Sequence, residues 1–493
     1  MDVAFVSLRA REPLAYGLMS LAGALRARGH RVAMVQAGDA GELRDHPEVR
    51  RADVIGLSAT TGLHRVYVDW ARRLRRCFPH KALVMGGPHP SFFPQVIEHT
   101  PLDGICIGEG EESFPEFLEL LAEGLPRVPD GFWIRRDHGR GPVERGKTRA
   151  PPRDLDALPS PSFELFYDAE PRYRALPIRI FLATRGCPFR CSYCFNHHVN
   201  ERNRPFGPLL RAHDPERLVD EIARVLARWG GRTVWFLDAN FVANRRWLEA
   251  FAPIYARRIG LPFFCKLRPE RASERVVETL VSAGCTGVGV GIESGNERSR
   301  REVLARPGRD AEILEGCRLL KRAGIRIMSF SMLGIPGETL DDALRTVALN
   351  VACGVDYAGA TILQPYPGTP IARWAVEHGH FDGDYDRLSY SYFAESPFRF
   401  PSQRDRDRIT NLQRLFAFAV EFPEVRARIR RLIDRPPSAF YRHLFEVRHH
   451  WALQRGFYRG FTRLPPAEHG TIEQLRRACG ELALPTEPPD EAS

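Results

Sequence analysis

The chain has 493 residues, 43% hydrophobic and 27% charged, which excludes a globally disordered protein and, at about 150 residues per domain, predicts roughly three domains. Net charge is +10, from 71 Lys and Arg against 61 Asp and Glu, but the only lysines are Lys81, Lys147, Lys266 and Lys321 and the arginines are scattered, so diffuse basicity is expected rather than a nucleic-acid groove. No run of 18 apolar residues offers a membrane span, and Met1-Asp2-Val3-Ala4-Phe5-Val6 opens as a strand rather than a secretion signal, so the expected compartment is the cytoplasm, where the ten cysteines stay reduced.

Residues 1–124 alternate between short apolar runs (3–7, 31–36, 53–58, 82–85, 104–107) and helical patterns (14–28, 42–50, 64–78, 91–99, 112–123). Short, continuously apolar strands belong to parallel sheets covered on both faces, so a flavodoxin-like doubly wound domain is predicted. Residues 125–177 are broken by Pro126, Pro129, Pro142, Pro151, Pro152, Pro159 and Pro161 and read as a linker, with a small hairpin over 131–141. Six further β/α units follow within 178–396, strands at 178–184, 233–237, 263–267, 287–292, 326–333 and 359–364, which predicts a partial (β/α)6 barrel open on one side. From 397 the pattern turns helical (404–421, 424–433, 438–455), and a Pro- and Glu-rich tail from 484 is expected to fray. The fold class is therefore α/β, two sheets in tandem and a helical C-terminal region.

Directly after the first barrel strand stands Thr184-Arg185-Gly186-Cys187-Pro188-Phe189-Arg190-Cys191-Ser192-Tyr193-Cys194-Phe195-Asn196. Cysteines spaced Cys-x3-Cys-x2-Cys can hold three irons of a cube and leave the fourth open. A structural zinc loop would need a fourth ligand, for which His197 and His198 stand nearest.

This segment resembles the signature of the radical S-adenosylmethionine (SAM) superfamily, and the resemblance extends over about 178–370. It implies a 4Fe-4S cluster on Cys187, Cys191 and Cys194, with SAM on the open iron and cleaved there to a 5′-deoxyadenosyl radical. It also implies that Tyr193 borders the adenine, that Asp238 accepts the SAM amino group at the second strand end, and that Glu293, with Ser294 beside it, takes the ribose hydroxyls at the fourth. Gln364 closes the sixth strand. Lys266 and Arg268, at the third, are read equally as SAM carboxylate partners or as partners of a surface acid.

In the first domain, Ser58-Ala59-Thr60-Thr61-Gly62, Gly86-Gly87-Pro88-His89 and Gly108-Glu109-Gly110-Glu111 follow the third, fourth and fifth strands. Gly-rich strand ends let a large flat ligand approach the backbone. The segments resemble the cobalamin-binding domain fused to many radical SAM enzymes, which implies cobalamin contacts from Ser58, Thr60, Gly86, Gly87, Gly108 and Glu109. The first loop, Leu8-Arg9-Ala10-Arg11-Glu12-Pro13, lacks the cobalt-binding histidine of mutase-type domains; His89 is the only nearby alternative.

The resemblance implies a cobalamin-dependent radical SAM enzyme, in most cases a methyltransferase, acting on a small-molecule or peptide substrate with an electron donor such as flavodoxin or ferredoxin. Oxidative cyclisation and ring rearrangement use the same architecture, and a non-catalytic cobalamin or SAM sensor is the alternative outside enzymology. A tRNA methylthiotransferase would carry three cysteines in its first domain; here that region has Cys77 and Cys106. No general acid or base is identified.

Overall fold

A computed structural model describes residues 1–9, 15–169, 171–389, 391 and 393–451. Residues 10–13 of the first loop, Cys479 and the tail from 484 lie outside the described residues.

The first sheet is built from β1 (Asp2–Leu8), α1 (Tyr16–Ala27), β2 (Arg31–Ala37), β3 (Val54–Ser58), α2 (His64–Cys77), β4 (Ala82–Gly86), α3 (Pro88–Phe92), β5 (Gly104–Cys106), α4 (Ser113–Ala122), β6 (Phe132–Arg135) and β7 (Val143–Arg145). Its strand order is β2-β1-β3-β4-β5-β6-β7, with β1 to β5 parallel. The order reverses beside β1, the switch point outside which doubly wound folds bind ligands. The hairpin expected in the linker is present and extends this sheet antiparallel to β5. The helix expected over 91–99 is divided, because Pro94 lacks the N–H that would continue α3.

The second sheet begins with β8 (Ile178–Phe181). It is followed by β9 (Thr184–Gly186), α5 (Phe195–Asn203), β10 (Leu210–Ala212), α6 (Pro215–Trp229), β11 (Thr233–Phe236), α7 (Arg245–Arg258), β12 (Phe263–Leu267), α8 (Glu274–Ser282), β13 (Cys285–Glu293), α9 (Asp310–Arg322), β14 (Arg326–Leu333), α10 (Leu340–Ala352) and β15 (Tyr357–Ile362). Six parallel strands run in the order β15-β14-β13-β12-β11-β8, and β15 does not pair with β8, so the barrel is open as expected. After α11 (Pro370–Glu377), α12 (Gln403–Glu421) and α13 (Ala439–Trp451) follow. Helix α12 packs against β15, the edge of the barrel sheet furthest from β8, where Gln413 Nε2 donates to the Ala360 carbonyl at 3.1 Å.

One continuous apolar core joins the two sheets. Phe5, Met19 and Phe114 from the first domain belong to it, as do Phe163 and Phe166 from the linker and Ile180 and Phe181 from β8. The linker lies close on α1, where Ser162 N–H donates to the Met19 carbonyl at 2.8 Å and a Cβ on Gly23 would overlap the Ser160 carbonyl. The relative placement of the sheets is thus fixed by buried side chains. Among the described residues, no helix is long and apolar enough to cross a membrane.

Candidate active site between the two sheets

The cysteine loop hangs from β8 through a buried carboxylate. Asp238, with no exposed surface, accepts the N–H of Ala183 at 3.1 Å, the N–H of Thr184 at 2.7 Å and the Thr184 hydroxyl at 2.5 Å. The residue expected to meet the SAM amino group thus also anchors the start of the cluster loop. Gly186 takes φ +93 at the turn into the loop, and a Cβ there would overlap the Leu209 carbonyl.

Cys187, Cys191 and Cys194 are unpaired thiols, all partly exposed. Asn200 Nδ2 holds the Cys187 carbonyl at 2.7 Å, and Ser192 is pinned to Leu304 at 3.0 Å, so the loop is fixed from both sides. Asn196 Nδ2 lies 3.6 Å from Cys194 Sγ and Arg268 Nη2 lies 3.7 Å from Cys191 Sγ, with the Arg268 guanidinium also stacked 3.9 Å over the Phe189 ring. Burial raises the Cys187 thiol and pushes Cys194 up to about 11, with the neighbouring thiols adding to the effect. Among the described residues no three His, Cys, Asp or Glu side chains converge on a single-ion site. His197 is occupied, facing the Arg190 carbonyl and Glu201, each at 3.2 Å. Three unpaired thiols with donors beside two of their sulfurs suit an iron–sulfur cluster.

At the fourth strand end the β13–β14 register shifts between Gly291 and Glu293, and Glu293 sits at φ +66, a left-handed conformation that a glutamate holds only under constraint. The constraint is local. Tyr193 Oη donates to Glu293 Oε1 at 2.8 Å and Arg306 Nη1 donates to the same oxygen at 3.0 Å, while Arg306 Nη2 holds the Gly291 carbonyl at 2.5 Å. A Cβ on Gly291 would overlap Glu293 Oε1. Burial and the Glu293 charge raise the Tyr193 phenol well above its ordinary range, which keeps it a donor. Glu293 Oε2 makes no hydrogen bond among the described residues.

The other expected SAM contacts separate. Ser294 is fully buried, and its hydroxyl donates to Glu338 Oε1 at 2.5 Å, so it links two loops. Gln364 is 2% exposed and Asn240 3% exposed, and neither has a hydrogen-bond partner for its carboxamide N or O. Two orphaned amides at strand ends fit a polar ligand such as SAM, since a buried amide without partners costs about 1–3 kcal/mol. Lys266, within electrostatic reach of Asp238 and Cys194, is pushed below the usual ammonium range by burial.

On the first sheet, Ser58, Gly86, Gly87, Gly108 and Glu109 all line one cavity of about 450 Å³, whose far wall is Leu182, Arg185 and Leu237 of the barrel. Gly87 sits at φ +92, where a Cβ would stand 3.0 Å from the Ala59 carbonyl, so the bare backbone is the wall. Thr60 is exposed and does not line it. His89 is turned elsewhere: its Nδ1 lies 3.2 Å from Thr61 Oγ1 and its ring stacks on His64. A glycine-walled cavity at the switch point fits cobalamin, and none of the described residues that line it is a histidine.

The two sheets' ends meet directly. Phe92 of α3 stacks on Phe195, next to Cys194, with centroids 4.3 Å apart, and Phe195 also packs on Tyr366 at 4.7 Å. Arg185, two residues before Cys187, donates to Glu109 Oε2 at 2.8 Å and Glu111 Oε1 at 2.7 Å of the first domain's fifth loop. Arg185, Arg306, Asn240 and the Phe92–Phe195 pair were not singled out from the sequence. Arg185 and Phe195 had a signal there, their places beside the triad.

Residues 9–118 match the B12 binding domain family and residues 181–349 the radical SAM superfamily, and the two matches together cover more than half of the chain. An uncharacterized methyltransferase, PH0819 of Pyrococcus horikoshii, is 27% identical over 332 residues, 66% of this chain and 69% of that protein. The cobalamin-dependent radical SAM methyltransferase TokK of Streptomyces tokunonensis is 30% identical over 308 residues, 58% of this chain and 43% of TokK, so the chain matches less than half of that longer relative. Among solved structures, the cobalamin-dependent S-adenosylmethionine radical enzyme OxsB, with aqua-cobalamin and SAM bound, shares the fold at a TM-score of 0.66 and 14% identity, over 97% of this chain and 75% of OxsB. With the two domains joined in one core and their ligand-binding faces opposed, the chain belongs to the cobalamin-binding radical SAM enzymes.

Proposed function

We propose that this protein methylates an unactivated carbon or phosphorus centre of a small-molecule or peptide substrate held between the two sheets. The observation that carries the reading is the shared cavity, in which Gly86, Gly87 and Gly108 face Arg185, Leu182 and Leu237. When bound, the cluster and SAM supply a carbon-centred radical and cobalamin supplies the methyl group. Both must reach one substrate atom in turn, each at near-contact distances of about 3–3.5 Å.

The chain's own residues provide that geometry. Asp238 fixes the root of the cluster loop, and Arg185 ties the loop to the glycine-rich loop opposite. Tyr193 and Arg306 hold one oxygen of Glu293 and leave the other for a ribose hydroxyl. Asn240 and Gln364 offer amides to the polar end of SAM. Phe92, Phe195 and Tyr366 form an aromatic wall that keeps water from a radical. A one-electron donor such as flavodoxin or ferredoxin would serve as reductant, and unpaired thiols awaiting iron suit the reducing cytoplasm.

The test uses anaerobically reconstituted holoenzyme, SAM labelled in its methyl group and candidate substrates. Label in the product together with 5′-deoxyadenosine supports methylation. Deoxyadenosine with an unlabelled product two hydrogens lighter assigns oxidative cyclisation instead, and no SAM cleavage assigns a sensor.

A further inference from the structure

A second cavity, also of about 450 Å³, lies on the other side of α3, between α2 and the segment at Tyr385 and Asp386. His64, 8% exposed, and His89, 4% exposed, stack within its wall with centroids 3.9 Å apart and planes at 15°. The N–H of Gly62 donates to His64 Nδ1 at 3.0 Å, so the neutral ring must carry its proton on Nε2. That Nε2 makes no hydrogen bond among the described residues; the nearest carboxylate oxygen, Asp386 Oδ1, is 3.9 Å away.

Two guanidiniums border the same space. Arg65 Nη1 is held by the Asp386 carbonyl at 2.7 Å. Arg72, about two turns further along the same face of α2, has no carboxylate within ion-pair reach among the described residues. Among the described residues Asp386 is the one carboxylate lining the cavity, and Val68, Val96 and Phe93 give it an apolar side. A metal ion does not suit the site: parallel stacked rings direct their lone pairs side by side, and the His64 Nε2 is already protonated.

We propose that this cavity is an oxyanion-binding site, which takes the phosphoryl or carboxylate end of a small organic molecule on His64, Arg65 and Arg72. An N–H donor and two guanidiniums bordering one space match an oxyanion's acceptors. The segment 88–93 borders both cavities, since Pro88 lines the first while His89 and Phe93 line the second.

The test is equilibrium binding to the full-length holoprotein, without SAM or substrate, so that it does not depend on methylation. Inorganic phosphate is titrated at constant ionic strength in chloride, with phosphorus resonance broadening and calorimetry as readouts. Saturable binding is expected, weakened about tenfold or more in Arg72→Ala and in Arg65→Ala, and partly restored in Arg72→Lys. Both arginines are exposed, and unchanged melting temperatures check that the variants fold. Acetate displacing phosphate assigns the shared oxyanion chemistry, and acetate failing to displace it restricts the site to phosphoryl groups. Absence of saturable binding, or wild-type binding in the Arg65→Ala/Arg72→Ala double variant, overturns the proposal.

Discussion

Arg185 and Glu111 form a largely shielded, part-buried ion pair at 2.7 Å that crosses from the cluster loop to the glycine-rich loop of the cobalamin-binding domain. Ser20 joins it, donating to Glu111 at 2.7 Å, and Glu109 is shared between Arg185 and Arg211. Removing one partner of such a network leaves uncompensated charge, so Arg185→Ala should destabilise the protein by about 3–5 kcal/mol and loosen the two domains. Denaturant unfolding and small-angle scattering check this, and stability within 1 kcal/mol of wild type would refute it. Burial works to raise the Glu111 carboxyl, but Arg185 and Ser20 more than offset it and hold it low. A depressed carboxylate contributes stability above its unfolded pKa that is lost as pH falls through the folded one. Domain loosening should therefore appear on acidification below the usual carboxylate range.

Cys191→Ala should abolish the cluster and SAM cleavage together, because two thiols cannot hold the cube in the loop. Iron analysis and deoxyadenosine assays read this directly; wild-type iron with intact cleavage would be incompatible with the assignment.

Gly291→Ala places a methyl group where Glu293 Oε1 now accepts from Tyr193 and Arg306. Displacing that carboxylate should weaken SAM binding about tenfold or more, a loss of about 1.4 kcal/mol or above, with iron content unchanged. Equal SAM affinity in the variant would show that Glu293 is not a ligand.

Gly87→Val should prevent cobalamin loading, since even a Cβ would crowd the Ala59 backbone at φ +92. By contrast His89→Ala should retain cobalamin, because His89 is engaged with Thr61 and His64. The visible absorption of purified protein distinguishes the two, and cobalamin loss in His89→Ala would restore that histidine as a cobalt ligand.

Burial pushes the Glu338 carboxyl up to about 7, against the hydrogen bond from Ser294. With the folded pKa above the unfolded one, the stability it confers is complete below pH about 4.5 and is lost as pH rises through about 7, at most about 3 kcal/mol. Glu338→Gln keeps an acceptor for Ser294 and should flatten that slope in pH-dependent unfolding.

Much of this architecture was legible because parallel strands announce themselves as short apolar runs; the six barrel strands and the five parallel strands of the first domain stand where periodicity places them. The triad was legible because its spacing is local. What escaped was set by partners distant in sequence. Nothing near Asp238 in the chain indicates that Ala183 and Thr184 donate to its oxygens, 55 and 54 residues away. Nor does any motif couple Arg306 to Glu293 across a left-handed turn. The hairpin over 131–141 was visible, but its docking on β5 depends on the edge which that strand presents.

The unclosed barrel carries a consequence for adaptability. Because β15 is capped by the side chain of Gln413 on α12 rather than joined to β8, the width of the mouth is not dictated by strand stagger. Helix α12 contributes none of the thiols, glycines or strand-end acids that define the cofactor sites. Its apolar residues Leu412, Leu415 and Phe416 share one buried core with Leu333 of β14 and Ala360 and Ile362 of β15, so the open edge of the barrel is held in place by side chains that none of the cofactor sites use.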